Sequence, residues 1–303
     1  MTYLPHLKRF AVVTTGLVVA LLVYGFGTAQ HDLIAAERQA VLAQAARVST
    51  PAHRVAPECA RDNTAFGAGE RVVYKIYYNL NFIWIAAGEV VFKVEDYGEE
   101  YKLSALGRTY SSYEWFFKVR DEYVSYVNKE TLLPRLTIRQ IEEGKYTLYE
   151  RVEYDQAAGK GIGWRGKTVE EAIERPAEFA IEHCLHDVLS AVYFMRNLGY
   201  EETALGTEFD ITVFMDRKEY PLGVRYVGKQ ERKRIKGLGR FDVYEIAPEV
   251  VAGDVFSDES EMRVWASTVD SRVPLQIESP LSVGSVKAVL KEHENLRHAL
   301  PAH

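Results

Sequence analysis

Cysteine is nearly absent: the 303 residues contain two, Cys59 and Cys184. Two thiols cannot build a four-cysteine zinc site and are too few for a disulfide-dense mini-protein. A basic surplus is missing too. Lysine plus arginine is 37 against 43 acidic residues, a net charge of −6, which argues against a dedicated nucleic-acid binder. Proline is scarce at 10 residues while tyrosine is plentiful at 19, a balance that favours strands over a helical bundle. No Gly-x-Ser-x-Gly elbow, P-loop lysine motif or His-Glu-x-x-His pair occurs, so the common hydrolase, nucleotide and zinc-protease signatures are lacking. What remains is ordinary globular material, 47% hydrophobic and 26% charged, which excludes wholesale disorder.

The N-terminus carries a long apolar run. Lys8 and Arg9 precede it, it extends from Phe10 to Phe26, and no further charge appears before Asp32. Gly27-Thr28-Ala29 places small residues before a cut at Ala29. This is the pattern of a signal peptide over residues 1–29, and it predicts a periplasmic protein. The run is close to the ~20 residues of a membrane span. An inner-membrane anchor facing the periplasm is therefore the alternative, although Thr14, Thr15 and Gly16 weaken it as a span. Residues 30–57 read as an alanine-rich helical tether that ends at Ser49-Thr50-Pro51 and Ala56-Pro57. A single β-rich domain over 58–297 and a tail at 298–303 complete the division.

Within the domain, period-2 patterns dominate. Val72, Tyr74, Ile76 and Tyr78 line one face of a strand. Further strand candidates follow at Phe82–Glu95, Tyr101–Tyr110, Glu122–Asn128, Leu136–Glu142 and Lys145–Asp155. The second half adds Glu208–Asp216, Tyr220–Gly228, Gln230–Lys236, Arg240–Ala247, Met262–Ser267, Leu275–Glu278 and Val286–Lys291. Regular turn signals between them predict a mainly β fold, an antiparallel curved sheet or barrel-like sandwich. One segment differs. Leu185, Val188, Leu189, Val192 and Met195 form a helical stripe, so one amphipathic helix over about 183–198 is expected to pack on the sheet.

Five features bear on chemistry. Cys59 and Cys184 read as one disulfide, since free thiols are hazardous in an oxidising compartment; two unrelated thiols are the alternative. His183-Cys184-Leu185-His186-Asp187 is dense in ligand types, but a catalytic zinc needs three protein ligands, and contact of Asp187 with free amides in the helix's first turn is the plainer reading. No metal and no cofactor is expected. Gly161-Ile162-Gly163-Trp164-Arg165-Gly166 fits the dinucleotide spacing but lacks the strand and long helix around it, and reads as a loop. Lys229, Arg232, Lys233, Arg234, Lys236 and Arg240 are a candidate anion contact for a lipid or glycan, with a solvated hairpin as the plain reading. Tyr74, Tyr78, Phe82, Trp84, Tyr113, Trp115, Phe116 and Phe117 are candidate linings of an apolar ligand pocket; core packing is the alternative.

Several strings resemble the domain of unknown function 3108 family. Asn63-Thr64-Ala65-Phe66, Gly69-Glu70, the run Val73–Asn79, Phe82-Ile83-Trp84 and Ala87-Gly88-Glu89-Val90 resemble its opening. The runs Trp115–Asp121, Cys184–Ala191, Val264–Ser267, Arg272-Val273-Pro274 and Val283–Ala288 extend the likeness, which covers about Cys59 to Arg297. It is nearest to exported members of the Bacteroidetes type. The resemblance implies an exported, β-rich envelope protein and transfers no catalytic residue. The expected function is non-enzymatic binding of an apolar or amphiphilic envelope ligand, or of a protein partner. A structural or assembly factor without small ligand and an envelope glycan or lipid hydrolase are the alternatives. Lipid or another envelope component is the expected partner, with membrane association through an uncleaved N-terminus and no nucleic acid.

Overall fold

The computed structural model describes residues 54–55, 59, 61–80, 83–115, 118–174, 176–182, 184–249, 261–281 and 284–301. The export segment and nearly all of the tether lie outside these residues, as do Phe82, Phe116, Phe117 and His183.

Sixteen strands build one sheet. The first half comprises β1 (Arg54–Val55), β2 (Arg71–Leu80), β3 (Ile83–Tyr97), β4 (Glu100–Thr109), β5 (Val119–Asn128), β6 (Pro134–Glu143), β7 (Tyr146–Asp155) and β8 (Lys160–Gly166). The second comprises β9 (Pro176–Ala180), β10 (Leu185–His186), β11 (Glu208–Met215), β12 (Lys218–Ile235), β13 (Gly239–Pro248), β14 (Arg263–Ser267), β15 (Pro274–Pro280) and β16 (Ser285–Glu294). Three short helices join them: α1 (Ser111–Glu114), α2 (Val169–Ile173) and α3 (Val188–Met195).

Neighbours run from β11 through β16 in sequence order, then β2 through β9. The pairing of β16 with β2 is what joins the two halves. All pairings are antiparallel except β1 and β10, which lie parallel to β11. The side-chain period of two sorts the residues. On β5, Val119, Asp121, Tyr123, Ser125 and Val127 are all buried while their neighbours are not. The expected mainly β, curved antiparallel sheet is thus present, and it remains open along its hydrogen-bonding path. Its two ends meet through side chains instead. Phe179 of β9 stacks on Phe214 of β11 with ring centres 4.1 Å apart, and Tyr154 of β7 meets Phe214 edge-on at 6.1 Å.

Three expectations need correction. The helix is shorter than 183–198, covering Val188–Met195, and two further short helices accompany it. Its start is displaced because Leu185 and His186 pair with Thr212 and Val213 of β11, and the Gln156 side chain bonds both backbone groups of Leu185. The two strands read at Tyr220–Gly228 and Gln230–Lys236 are one strand, β12, interrupted by bulges. The glycine-rich stretch is no loop but β8, paired with β7 and β9. Its glycines make room: a Cβ on Gly161 would come within 2.1 Å of the Phe179 ring, and one on Gly166 within 2.6 Å of the Ala172 backbone of α2.

Candidate functional site

The largest core cluster gathers the inner face of the sheet around α3. The helix begins at a reciprocal cap. Asp187 accepts from the Leu189 and Ser190 amides at 2.8 and 3.1 Å, and its own amide donates to Ser190 Oγ at 3.0 Å. This reciprocal cap satisfies donors that a buried helix start would otherwise orphan. The Ser125 hydroxyl donates to the second Asp187 oxygen at 2.5 Å, which ties the cap to β5.

His186, Asp187 and Ser190 together superficially resemble a hydrolytic trio. Ser190 Oγ lies 3.2 Å from His186 Nδ1. However, the Ser190 hydroxyl donates back to the Asp187 carbonyl at 3.1 Å, and all three residues are buried. Burial also drives the His186 pKa down to about 3, so the ring stays neutral. Without access for a substrate, the trio is a helix cap. Among the described residues no cluster of His, Cys, Asp or Glu is arranged to hold a metal ion.

The other end of α3 is fixed by a buried ion pair. Arg196 donates from Nη1 and Nη2 to the two Glu70 oxygens at 2.5 and 2.9 Å, and from Nε to the Ser271 carbonyl at 3.0 Å. Its guanidinium lies 5.6 Å from the Phe66 ring centre and 5.3 Å from that of Tyr193. Asn197, the next residue, accepts from the Thr64 and Ala65 amides through Oδ1 at 2.8 and 3.1 Å. The segment before β2 therefore wraps the helix end. Cys59 and Cys184 close the same wrap covalently, with Cα atoms 4.9 Å apart, as the isolated cysteine pair predicts.

Between α3 and the sheet lies a cavity of about 70 Å³. Its walls include Val72, Tyr74 and Phe92 from β2 and β3, Val192 and Met195 from α3, and Ile246 and Val264 from β13 and β14. At about 30 Å³ per water, that volume has room for roughly two waters or a short alkyl stub. Two arginines also reach the wall, Arg196 and Arg272. Arg272 sits in the turn before β15 at φ 40°, a backbone region that a non-glycine residue seldom occupies. Its Nη2 donates to Glu201 at 2.8 Å, while its buried Nε has no hydrogen-bond partner.

The aromatic residues singled out from the sequence do not converge on this cavity. Tyr74 lines it, and its hydroxyl donates to the Pro274 carbonyl at 2.8 Å. Tyr78 is buried in the core. Trp84, Tyr113 and Trp115 are exposed, Trp115 to 83%. The amide of Tyr110 donates to the Ala87 carbonyl, so the α1 segment lies beside the β2–β3 hairpin that carries Trp84 and Ile83. Lys287 covers the Trp84 ring at 4.4 Å. None of the six basic candidates lines the cavity either; they occupy the far part of the β12–β13 ribbon. Sequence reasoning missed Arg196, Glu70 and Arg272, since nothing in the local pattern marks partners 126 residues apart.

The fold and site define a mostly β protein with an open sheet and a disulfide-tied inner helix. The chain belongs to the family described as protein of unknown function (DUF3108), whose model matches residues 73–291. Among solved structures it is similar to the beta-barrel-like protein of domain of unknown function DUF1849 from Brucella abortus. The two are 9% identical, with 75% of this chain and 97% of that chain covered and a TM-score of 0.48. No curated protein matches the chain.

Proposed function

We propose that this is an exported, non-enzymatic envelope protein that binds the apolar end of a small amphiphile between α3 and the sheet. The observation that carries the reading is the pairing of an apolar cavity with Arg272, whose buried Nε lacks an acceptor. A buried donor without a partner costs about 1–3 kcal/mol. A carboxylate or phosphate oxygen on the ligand would satisfy it, while the alkyl part occupies the wall of valine, methionine and isoleucine. The export pattern at Lys8–Ala29 and the Cys59–Cys184 bridge support a periplasmic setting.

Binding of butyrate, read by isothermal titration calorimetry, tests this. The parent protein is expected to bind it, and Val192→Trp, which fills the cavity, to weaken binding at least tenfold with the circular dichroism spectrum preserved. Equal affinity in parent and variant would remove the cavity from consideration.

A second reading, a docking or assembly role without small ligand, is favoured by one observation. Ile83, Trp84 and Trp115 are exposed to 66%, 41% and 83% on neighbouring segments, and exposed apolar clusters of this kind mark contact surfaces. Crosslinking from position 115 in the native envelope tests it, with capture of a defined protein expected and an uncrosslinked monomer speaking against it.

A further inference from the structure

The β12–β13 ribbon carries six cations and one acid between residues 229 and 240 in a chain of net charge −6. The sheet's period of two separates its faces. Gln230, Lys233 and Ile235 pair with Val243, Phe241 and Gly239 on one side. That side is packed, since Ile235, Phe241 and Val243 are buried and Lys233 lies 4.1 Å from the Trp265 ring centre; the other side is buried at Tyr244, the partner of Lys229, and opens to solvent beyond it. A bulge sets Glu231 and Arg232 against the single residue Asp242, with Arg232 at φ 50°. The extra residue restores the alternation beyond it, so Arg234, like Lys229, falls on the opposite side. Lys229, Arg232, Arg234, Lys236 and Arg240 are all exposed.

Two features separate this face from an ordinary solvated hairpin. Several surface cations elsewhere hold carboxylates, Lys102, Lys118, Lys129 and Arg135 each at 2.6 to 3.0 Å, and unpaired ones such as Lys145 and Lys167 stand apart from one another, whereas the ribbon cations are contiguous. Among the described residues none of the six ribbon cations forms an ion pair. Of the nearby acids, Asp242 accepts the Arg232 amide and Glu245 holds Arg263, while Glu231 is exposed among the cations. Moreover, Arg234 and Arg240 are direct cross-strand partners, and like charges placed opposite one another destabilise a ribbon. An external anion between them turns that repulsion into attraction.

We propose that the exposed face of the β12–β13 ribbon is a docking surface for an anionic lipid bilayer. The five side chains are spread along a ribbon and line no cavity described above, which suits a plane of headgroup phosphates and not a single small anion. The apolar run Phe10–Phe26 supplies a second membrane-directed element, and stable attachment at a bilayer generally takes two. Each lysine or arginine near an anionic surface strengthens binding about fivefold. This inference does not depend on the cavity.

Lysine footprinting of the full chain decides it, comparing equimolar phosphatidylglycerol–phosphatidylcholine vesicles with phosphatidylcholine alone. Amine labelling of Lys229 and Lys236 is expected to fall at least fivefold on the anionic vesicles only and to recover in high salt. The exposed Lys145 and Lys167 are internal controls and keep their labelling. The comparison holds whether or not the N-terminal run is also inserted, because that run is present on both vesicles. Replacing Arg232 and Arg234 by Gln is expected to abolish the protection while leaving thermal stability unchanged or higher. Equal labelling of Lys229 and Lys236 on both vesicles overturns the proposal. Protection by soluble heparin but by neither vesicle also overturns it, and assigns the ribbon to a polyanion.

Discussion

The ion pair at the end of α3 makes the sharpest quantitative test. Glu70 is fully buried at its side chain and Arg196 is 5% exposed. Replacing Glu70 by Gln keeps the shape and removes the countercharge. Arg196 then remains as a buried cation with two carbonyl contacts, Ser271 at 3.0 Å and Ala65 at 3.4 Å. Breaking a buried pair from one side costs about 3–5 kcal/mol. Arg196→Met is expected to cost a similar amount, because it strands the Glu70 carboxylate. The double variant Glu70→Leu with Arg196→Met removes both charges. It leaves two carbonyls short of a donor, at about 1–3 kcal/mol each in the worst case, and recovers packing against Phe66 and Tyr193. The double variant should therefore be no less stable than either single one, with a coupling of about 3–5 kcal/mol in a double-mutant cycle. Urea unfolding followed by tryptophan fluorescence measures this, with an unchanged denaturant slope confirming that the states compared are the same. Additive losses in the double variant, or a loss under about 1 kcal/mol for Glu70→Gln, would refute the account of this pair as a mutually dependent buried unit.

The remaining expectations concern covalent closure, protonation and packing. Replacing Cys59 and Cys184 by Ser, which opens a bridge of sequence separation 125, should lower stability by up to about 5 kcal/mol; thiol labelling of the denatured, unreduced parent should find no free cysteine. Asp121 and Glu143 face each other inside the sheet, and burial raises both pKa values, Asp121 to about 7 and Glu143 to about 9. Their folded values lie above the unfolded ones, so this contribution is complete below about pH 4 and is lost as pH rises through 7 to 9. His186 acts in the reverse sense: burial lowers its pKa to about 3, so its contribution is present above about pH 6.5 and is lost as pH falls towards 3. Denaturation midpoints across pH should therefore peak at mildly acidic pH, and Glu143→Gln should flatten the alkaline limb; an unchanged limb would exclude the pair as its cause. Gly161→Ala should cost about 1–3 kcal/mol through collision with the Phe179 ring, read by the thermal midpoint. Trp115→Ala should change stability by no more than about 0.5 kcal/mol and leave probe binding in the cavity intact.

Much of the strand pattern was legible because alternation is a local property. Val72, Tyr74, Ile76 and Tyr78 announce a buried face, and all four are buried. The bridge was legible from an isolated cysteine pair, and the contact of Asp187 with free helix amides from its place in the expected first turn, although the cap position itself was not. The misreadings share a physical origin in distant partners. Leu185 and His186 carry helical periodicity, yet β11 and Gln156 hold them extended. Gly161 and Gly166 look like loop residues until Phe179 and α2 are seen to need their space. Trp84 and Trp115 looked like pocket lining because density of aromatics says nothing about which side of a sheet they face. The cavity itself depends on Arg196 and Arg272 meeting under one helix end, and their sequence separation of 76 left no local trace.

The inner face of the sheet also explains why an open edge is tolerable. Tyr123, Arg139, Glu150 and Arg165 are successive cross-strand partners on β5, β6, β7 and β8. Arg139 holds Glu150 at 2.8 Å, and Arg165 holds it at 2.9 Å. Asp216, in the turn between β11 and β12, then accepts from both arginines. The turn at one end of the hydrogen-bonding path is thus tied by charge to strands near the other end, alongside the Phe179–Phe214 stack. Shifting β6, β7 or β8 by one residue would turn its charged member to the outer face and leave the others buried without countercharge. A slip in an apolar sheet costs only packing, whereas here each slip strands a buried charge. The row therefore fixes register where closure by backbone hydrogen bonds is missing, and it does so at the same end as the protonated Asp121–Glu143 pair. Alkaline conditions that ionise this pair act on β5 and on its partner β6, whose alignment the row secures.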